Sequence, residues 1–247
     1  GSECVIMKIT ERIKEKAADF GGSAPVVFSF IGDSVTHGCF EIYRASETEL
    51  ETEFRSTKAY HFKLRQMLEA VFPPVCINVI NAGISGDCAI TAQSRIERDV
   101  ISYHPDLCIM CFGLNDANRG IEAIDDYANA LAAMFDKLET AGIETIFMTP
   151  NMMGTRVVAE EKDELLRSVI GSATQKQTDG TFDKFIDRAR AVCREHNVPV
   201  CDCYAKWKKL EENGADVTRL LANRVNHPLE EMHNLFAYSL FEMIMGF

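Results

Sequence analysis

Val26–Gly38, read as VVFSFIGDSVTHG, decides how the chain is interpreted. The seven residues from Pro25 to Ile31 are almost wholly apolar and rich in β-branched or aromatic side chains. That composition predicts a strand buried on both faces of a parallel sheet. Gly32, Asp33 and Ser34 follow at its carboxyl end, where open α/β sheets place their ligand crevice. The same three residue types are common turn formers, so the triplet alone reads as a turn or as a catalytic loop.

Working outward, strands and helices alternate. Before the first strand, Lys8–Phe20 predicts an amphipathic helix stopped by Gly21-Gly22. After it, Glu41–Glu53 is acidic and poor in apolar residues. It reads as a solvated loop or irregular insertion beside the crevice, with a lid as the other reading. Thr57–Val71 predicts a helix ended by Pro73-Pro74, and Val75–Ile80 a second strand with the glycine-bearing loop Asn81–Asp87 behind it. Ala89–Ile101 reads as a helix, Leu107–Phe112 as a third buried strand, and Ile121–Thr140 as a long helix. Ile143–Thr149 is a fourth strand. A helix near Glu161–Ile170 leads into a polar loop, GSATQKQTDG. Phe182–His196, a short fifth strand Val198–Asp202, a short helix at Trp207–Leu210 and a last helix Pro228–Met245 complete the chain. With no linker-like stretch, residues 1–247 read as one three-layer α/β domain around a five-stranded parallel sheet.

Composition narrows the function. The 247 residues carry 37 acidic and 26 basic side chains, a net charge of −11, which disfavours nucleic acid and anionic membranes as partners. No run approaches the roughly 20 apolar residues that span a bilayer. No signal peptide is visible and Gly1-Ser2 looks like an expression scar, so a cytoplasmic location is expected with a removed leader left open. The nine cysteines lack framework spacing; Cys76, Cys108, Cys111 and Cys193 fall in apolar or helical patterns, and Cys201-Asp202-Cys203 lacks metal-ligand spacing. Reduced thiols and no metal are expected.

Four short blocks lie at loop positions: Gly32-Asp33-Ser34, Gly86 in ISGD, Asn115 in GLND and His227 in NHP. The first three follow carboxyl ends of successive strands and share one rim. The fourth precedes the last helix and can return to that rim. Acyl transfer needs a nucleophile, a base and donors for the oxyanion of the tetrahedral intermediate. Ser34 supplies a hydroxyl and His227 a base whose ordinary pKa of about 6.5 suits neutral pH. Gly86 allows close backbone approach, Asn115 offers an amide donor, and the Ser34 N–H can be a third.

In the order Ser, Gly, Asn, His, these blocks resemble the SGNH (GDSL) hydrolases, from Phe28 to His227. The resemblance implies a flavodoxin-like sheet of order 2-1-3-4-5 and ester hydrolysis through an acyl-enzyme without a cofactor. It also implies an oxyanion hole of Ser34 N–H, Gly86 N–H and Asn115. One departure matters: where the family has an aspartate three residues before the histidine, this chain has Arg224. A guanidinium accepts no hydrogen bond, so a backbone carbonyl, Asn223, Asn226 or a carboxylate from elsewhere must orient His227. Without a carboxylate, its pKa should lie near the ordinary value.

Asp33 is expected to fix the Ser34 turn, Asp116 to cap the following helix, and His37 to line the crevice. His61, His104 and His196 read as surface or turn residues, and His233 as packed or solvent-facing. The reading is a serine esterase acting on short acyl esters of soluble small molecules, acetylated carbohydrates being the guess the family suggests. The alternatives are a lysophospholipase or thioesterase, or a non-catalytic flavodoxin-like binding module. Against the last, no GxGxxG or GxxxxGK[ST] follows a strand. No GxSxG elbow of an α/β-hydrolase is present either.

Overall fold

A computed structural model describes residues 6–247; Gly1-Ser2 and Cys4 lie outside them. Among the described residues seven strands form: β1 Val26–Gly32, β2 Cys39–Arg44, β3 Leu50–Phe54, β4 Ile77–Gly83, β5 Leu107–Cys111, β6 Glu144–Met148 and β7 Val200–Cys201. Five of them make a sheet in the order β4-β1-β5-β6-β7, parallel throughout. This is the expected 2-1-3-4-5 arrangement. The order reverses at β1, whose Gly32 pairs with Gly83 on one side and Cys111 on the other. The crevice of an open α/β sheet opens at such a point.

β1 lies between β4 and β5, and its side chains are almost all buried. Phe28 and Phe30 are buried, and Phe30 packs its ring 5.8 Å from Tyr60 and 5.5 Å from His61. Each such side chain contributes about 1.5–3 kcal/mol through removal from water. Helices Lys8–Ala18, Tyr60–Val71 and Glu230–Met245 pack together on this side of the sheet. Ile124–Thr140 and Thr181–Glu195 pack against each other on the opposite side. No helix among the described residues is long and apolar enough to cross a membrane.

Several elements depart from the sequence reading. The helix expected at Ala89–Ile101 is broken into Ala89–Ala92, a 3-10 turn Gln93–Arg95, and Ile96–Asp99. Arg95 turns inward there. Its guanidinium donates to the carbonyls of Ala82 and Gly32 and pairs with Asp87 at 2.7 Å, tying off the ends of β4 and β1. The polar GSATQKQTDG run is mostly helical, within Glu164–Thr178. Leu166, Ile170, Ala173 and Gln177 make its buried stripe, and Asp163 caps its start. The last helix starts at Glu230 rather than Pro228, which instead bridges to Leu221. His61 is buried, not at the surface, with Nε2 2.9 Å from the Thr36 carbonyl. Cys76 is exposed rather than packed.

The segment expected as a solvated loop is the antiparallel hairpin β2–β3. Its acidic residues occupy the solvent face: Glu51 and Glu53 alternate with Leu50 and Thr52. Cys39 pairs with Phe54 and Ile42 with Thr52, so Phe40 and Glu41 together oppose only Glu53. This bulge leaves backbone groups of Phe40 outside the ladder, free to bond elsewhere.

Candidate active site

Ser34 opens a single helical turn, Ser34–His37, directly after β1. Asp33 caps it by accepting a hydrogen bond from the Val35 N–H at 2.9 Å, the role expected of it. The turn lies hard against β4: a Cβ on Gly83 would sit 2.3 Å from the His37 nitrogen. Asp33 is fully buried, and burial pushes its carboxyl up to about 7. Close packing of this kind fixes the hydroxyl at the rim without help from its own side chain.

The loop after β4 carries Gly86, at φ +84° with open space where a Cβ would stand. Glycine adopts this backbone without strain, leaving its N–H accessible. The Ser85 N–H donates to His37 Nδ1 at 3.0 Å, so His37 holds this loop and is not among the residues that line the cleft. Asn115, in the short helix after β5, donates through Nδ2 to the Asp87 carbonyl at 2.8 Å. An amide nitrogen has two hydrogens, so one remains for a ligand. Asp116 does not cap the helix that follows it. It accepts from the N–H groups of Ala89 and Ile90, capping the helix at Ala89–Ala92, and burial pushes its carboxyl up to about 6.

His227 comes from the far end of the chain. Its Nε2 lies 2.8 Å from Ser34 Oγ, and its Nδ1 lies 2.7 Å from the Phe40 carbonyl oxygen. A carbonyl only accepts, so Nδ1 carries the hydrogen and Nε2 is left to accept from the Ser34 hydroxyl. The bulge in β2 thus delivers the acceptor that the imidazole needs. Neither Asn223 nor Asn226 reaches Nδ1. Asn223 shapes the loop instead: its Oδ1 accepts from the N–H groups of Val225, Asn226 and His227 at 3.0, 3.0 and 2.9 Å. The Asn226 carbonyl accepts from Asn151 Nδ2 at 2.7 Å. Arg224 has a left-handed φ of +59° and turns away, donating to the Arg219 carbonyl at 2.7 Å.

Burial pushes the His227 imidazole down to about 4, against smaller opposing effects of the Phe40 carbonyl and the nearby Glu41 charge. This corrects the expectation of an ordinary value: desolvation outweighs everything the polar surroundings contribute. The ring is therefore neutral near pH 7, as a proton acceptor must be.

Ser34, Gly86, Asn115 and His227 all face one cleft of about 720 Å³. The hairpin forms one wall through Ile42 and Leu50, and the Glu164–Thr178 helix contributes Val169 and Ser172. Arg44 ties the hairpin to this helix, donating to both oxygens of Asp163 at 2.5 and 2.7 Å. Among the described residues, no group of three or more His, Cys, Asp or Glu side chains is placed to hold a metal ion.

The profile of the GDSL-like lipase/acylhydrolase family matches residues 30–235. The chain belongs to this family. It is a carboxylic ester hydrolase of the GDSL type. An acetylxylan esterase from Geobacillus stearothermophilus is 28% identical over 173 residues, covering 66% of this chain and 75% of that protein. The crystal structure of an acetylxylan esterase from the same organism superposes with a TM-score of 0.67 at 25% identity, covering 91% of this chain and 96% of that one. Solved variants of it described as catalytic mutants replace a serine, an aspartate and a histidine, the aspartate three positions before the histidine. A two-domain esterase active on acetylated mannans shares the fold, with a TM-score of 0.65 at 15% identity over 96% of this chain and 52% of that one.

Within this GDSL hydrolase, the four sequence blocks meet in one cleft. Sequence reasoning missed Phe40 and Arg95. Phe40 acts through its backbone and leaves no side-chain signal. The hairpin that carries it was announced by the alternation of Leu50, Glu51, Thr52 and Glu53.

Proposed function

We propose that the protein is an acetyl esterase that removes acetyl groups from carbohydrates through an acyl-enzyme. The carrying observation is the buried chain Ser34 Oγ, His227 Nε2 and, behind it, Nδ1–H to the Phe40 carbonyl. Ser34 is the nucleophile. As its oxygen attacks the ester carbonyl carbon, its proton passes to Nε2. The oxyanion is met by the N–H groups of Ser34 and Gly86 and by the free hydrogen of Asn115 Nδ2. Collapse of the intermediate expels the alcohol, which takes the proton back from Nε2. Water then attacks the acetyl-serine with His227 again accepting a proton, which regenerates the hydroxyl and releases acetate.

The related acetylxylan esterase supports the acetyl and carbohydrate assignment. The chain departs from it at Arg224, and the Phe40 carbonyl serves in place of a side-chain acid. Such an acceptor orients the imidazole and fixes its tautomer but adds no full charge to stabilise the imidazolium.

The test is hydrolysis of p-nitrophenyl esters of increasing chain length and of acetylated xylooligosaccharides, beside Ser34→Ala. Acetate should be the preferred acyl group and Ser34→Ala inactive. Preference for long acyl chains would move the enzyme to the lysophospholipase or thioesterase reading. A folded Ser34→Ala that keeps its activity would end the serine assignment.

A further inference from the structure

The bond between His227 and the Phe40 carbonyl joins two pieces of chain that no secondary structure connects. One side chain grips both. Arg55, half buried just after β3, donates from Nη1 and Nη2 to the two oxygens of Glu41 at 2.8 and 3.1 Å. Its Nε donates to Glu230 Oε1 at 2.6 Å. Glu41 is the residue after Phe40 on the bulge. Glu230 begins the C-terminal helix, three residues after His227. The guanidinium carbon also lies 4.4 Å from the centroid of the Phe40 ring, and the Arg55 N–H donates to the Gly38 carbonyl at 2.7 Å.

We infer that Arg55 is a positioning residue of the active site, a clamp that keeps the Phe40 carbonyl in register with the imidazole. The inference rests on the reading of Ser34 and His227 given above. A carboxylate three residues before the histidine would belong to the histidine's own loop. A carbonyl on a hairpin does not, and its distance from Nδ1 depends on how the hairpin is held. A planar fork with a third donor suits this task, because it fixes direction as well as distance. The side chains of these ion pairs are about a third exposed or more, at 32% and 50% for Arg55 and Glu41 and 32% and 34% for Arg55 and Glu230. Pairs so exposed contribute little to folding stability. Their loss should therefore show in turnover while the fold persists.

The experiment compares kcat and KM on p-nitrophenyl acetate for wild type, Arg55→Gln, Arg55→Lys, Glu230→Gln and the Arg55→Gln/Glu230→Gln double variant. Misplacing a catalytic group by about 1 Å can cost roughly 10²-fold, so Arg55→Gln should lose about tenfold or more in kcat, with KM within about twofold. Arg55→Lys, which keeps one ion pair, should recover part of the loss. The double variant should be no worse than Arg55→Gln, because both changes release the same clamp. Proton NMR should show the hydrogen-bonded His227 Nδ1–H resonance in wild type and its displacement or broadening in Arg55→Gln. A loss confined to KM, independent additive losses, or an unmoved Nδ1–H resonance with wild-type kcat would each overturn the clamp. If Arg55→Gln does not fold, Glu230→Gln carries the same test, since it leaves the pair with Glu41 in place. A wild-type protein without esterase activity would instead defeat the functional reading, and the NMR signal would still report on the clamp.

Discussion

The two sides of this cleft are held in place by opposite means. Ser34, Gly86 and Asn115 stand just beyond β1, β4 and β5, three neighbouring strands of one buried sheet. Hydrogen bonds among their own loops complete their placement: Asp33 to Val35, His37 to Ser85, Asn115 to Asp87. His227 and Phe40 lie 187 residues apart and belong to a coil before the last helix and to a two-stranded hairpin outside the main sheet. The first side inherits its geometry from the ladder. The second is joined across a long sequence separation and relies on side chains: Asn223 shapes the His227 loop from within it, and Arg55 reaches from the hairpin to Glu230. On the proposed reading, the nucleophile and its oxyanion donors are thus rigid by construction, whereas the base is braced.

The strongest way to test this contrast is to remove one group from each side. Ser34→Ala and His227→Ala should each lower kcat by on the order of 10⁴-fold or more, and the double variant should be no worse, because nucleophile and base act as a unit. A His227→Ala enzyme within about tenfold of wild type would show that another group takes the Ser34 proton. Next in size is Asn115→Ala, which should cost about 10²–10³ in kcat with little change in KM, as loss of an oxyanion donor does. An effect on KM alone would move Asn115 from transition-state stabilisation to substrate binding.

Asn223→Ala probes the braced side. Three N–H groups would lose their acceptor, at a cost of about 1–3 kcal/mol in stability. Thermal denaturation should show a lowered Tm, and kcat should fall through displacement of His227. An unchanged Tm would mean that the loop holds itself. Arg224→Ala should do much less: its guanidinium bonds carbonyls remote from the imidazole, so about 1 kcal/mol of stability is at stake and kcat should stay near wild type. A large fall in kcat would place Arg224 in the catalytic geometry after all.

The smallest effect is on pH. His227 must be neutral to accept a proton, and burial pushes it down to about 4. Above that value the base is competent, so kcat/KM should fall by less than about twofold between pH 8 and pH 6 and drop only as the pH nears 4. A limb near 6.5 would show that the imidazole titrates as it would in water, and that the cleft is wetter around His227 than its burial indicates.

The same contrast explains what could be read from the amino acids. β1 and β5 are nearly continuous apolar runs, and β4 and β6 keep apolar stretches beside Asn78 and Thr145, so the strands and the placing of Ser34, Gly86 and Asn115 at one rim were legible, while the strand order was implied only by the family resemblance. His227 was legible from its block, and the need for a substitute acceptor from Arg224. The acceptor itself was not. A main-chain carbonyl belongs to every residue, and only the pairing of Cys39 with Phe54 and Ile42 with Thr52 reveals that Phe40 is free to offer its own. Arg95 was hidden in the same manner. In the run that reads as one helix it passes for a surface charge, yet it is buried and bonds the carbonyls that end β1 and β4. The second half of the helix at Glu164–Thr178 was obscured by its polar composition, although Leu166, Ile170, Ala173 and Gln177 keep helical spacing.

Orientation of the base by a main-chain oxygen has a genetic consequence. An aspartate is lost by a single codon change, whereas no substitution at position 40 deletes a carbonyl, since all twenty amino acids carry one. Missense mutation can reach this contact only indirectly, through neighbours that steer the hairpin. Gain or loss of a codon between Gly38 and Ile42 would act at once, shifting the bulge and presenting a different oxygen, or none, to Nδ1. The constraint on this contact therefore falls on the local length of the hairpin rather than on the chemistry of the side chain at position 40, the reverse of the constraint on a side-chain acid in a loop.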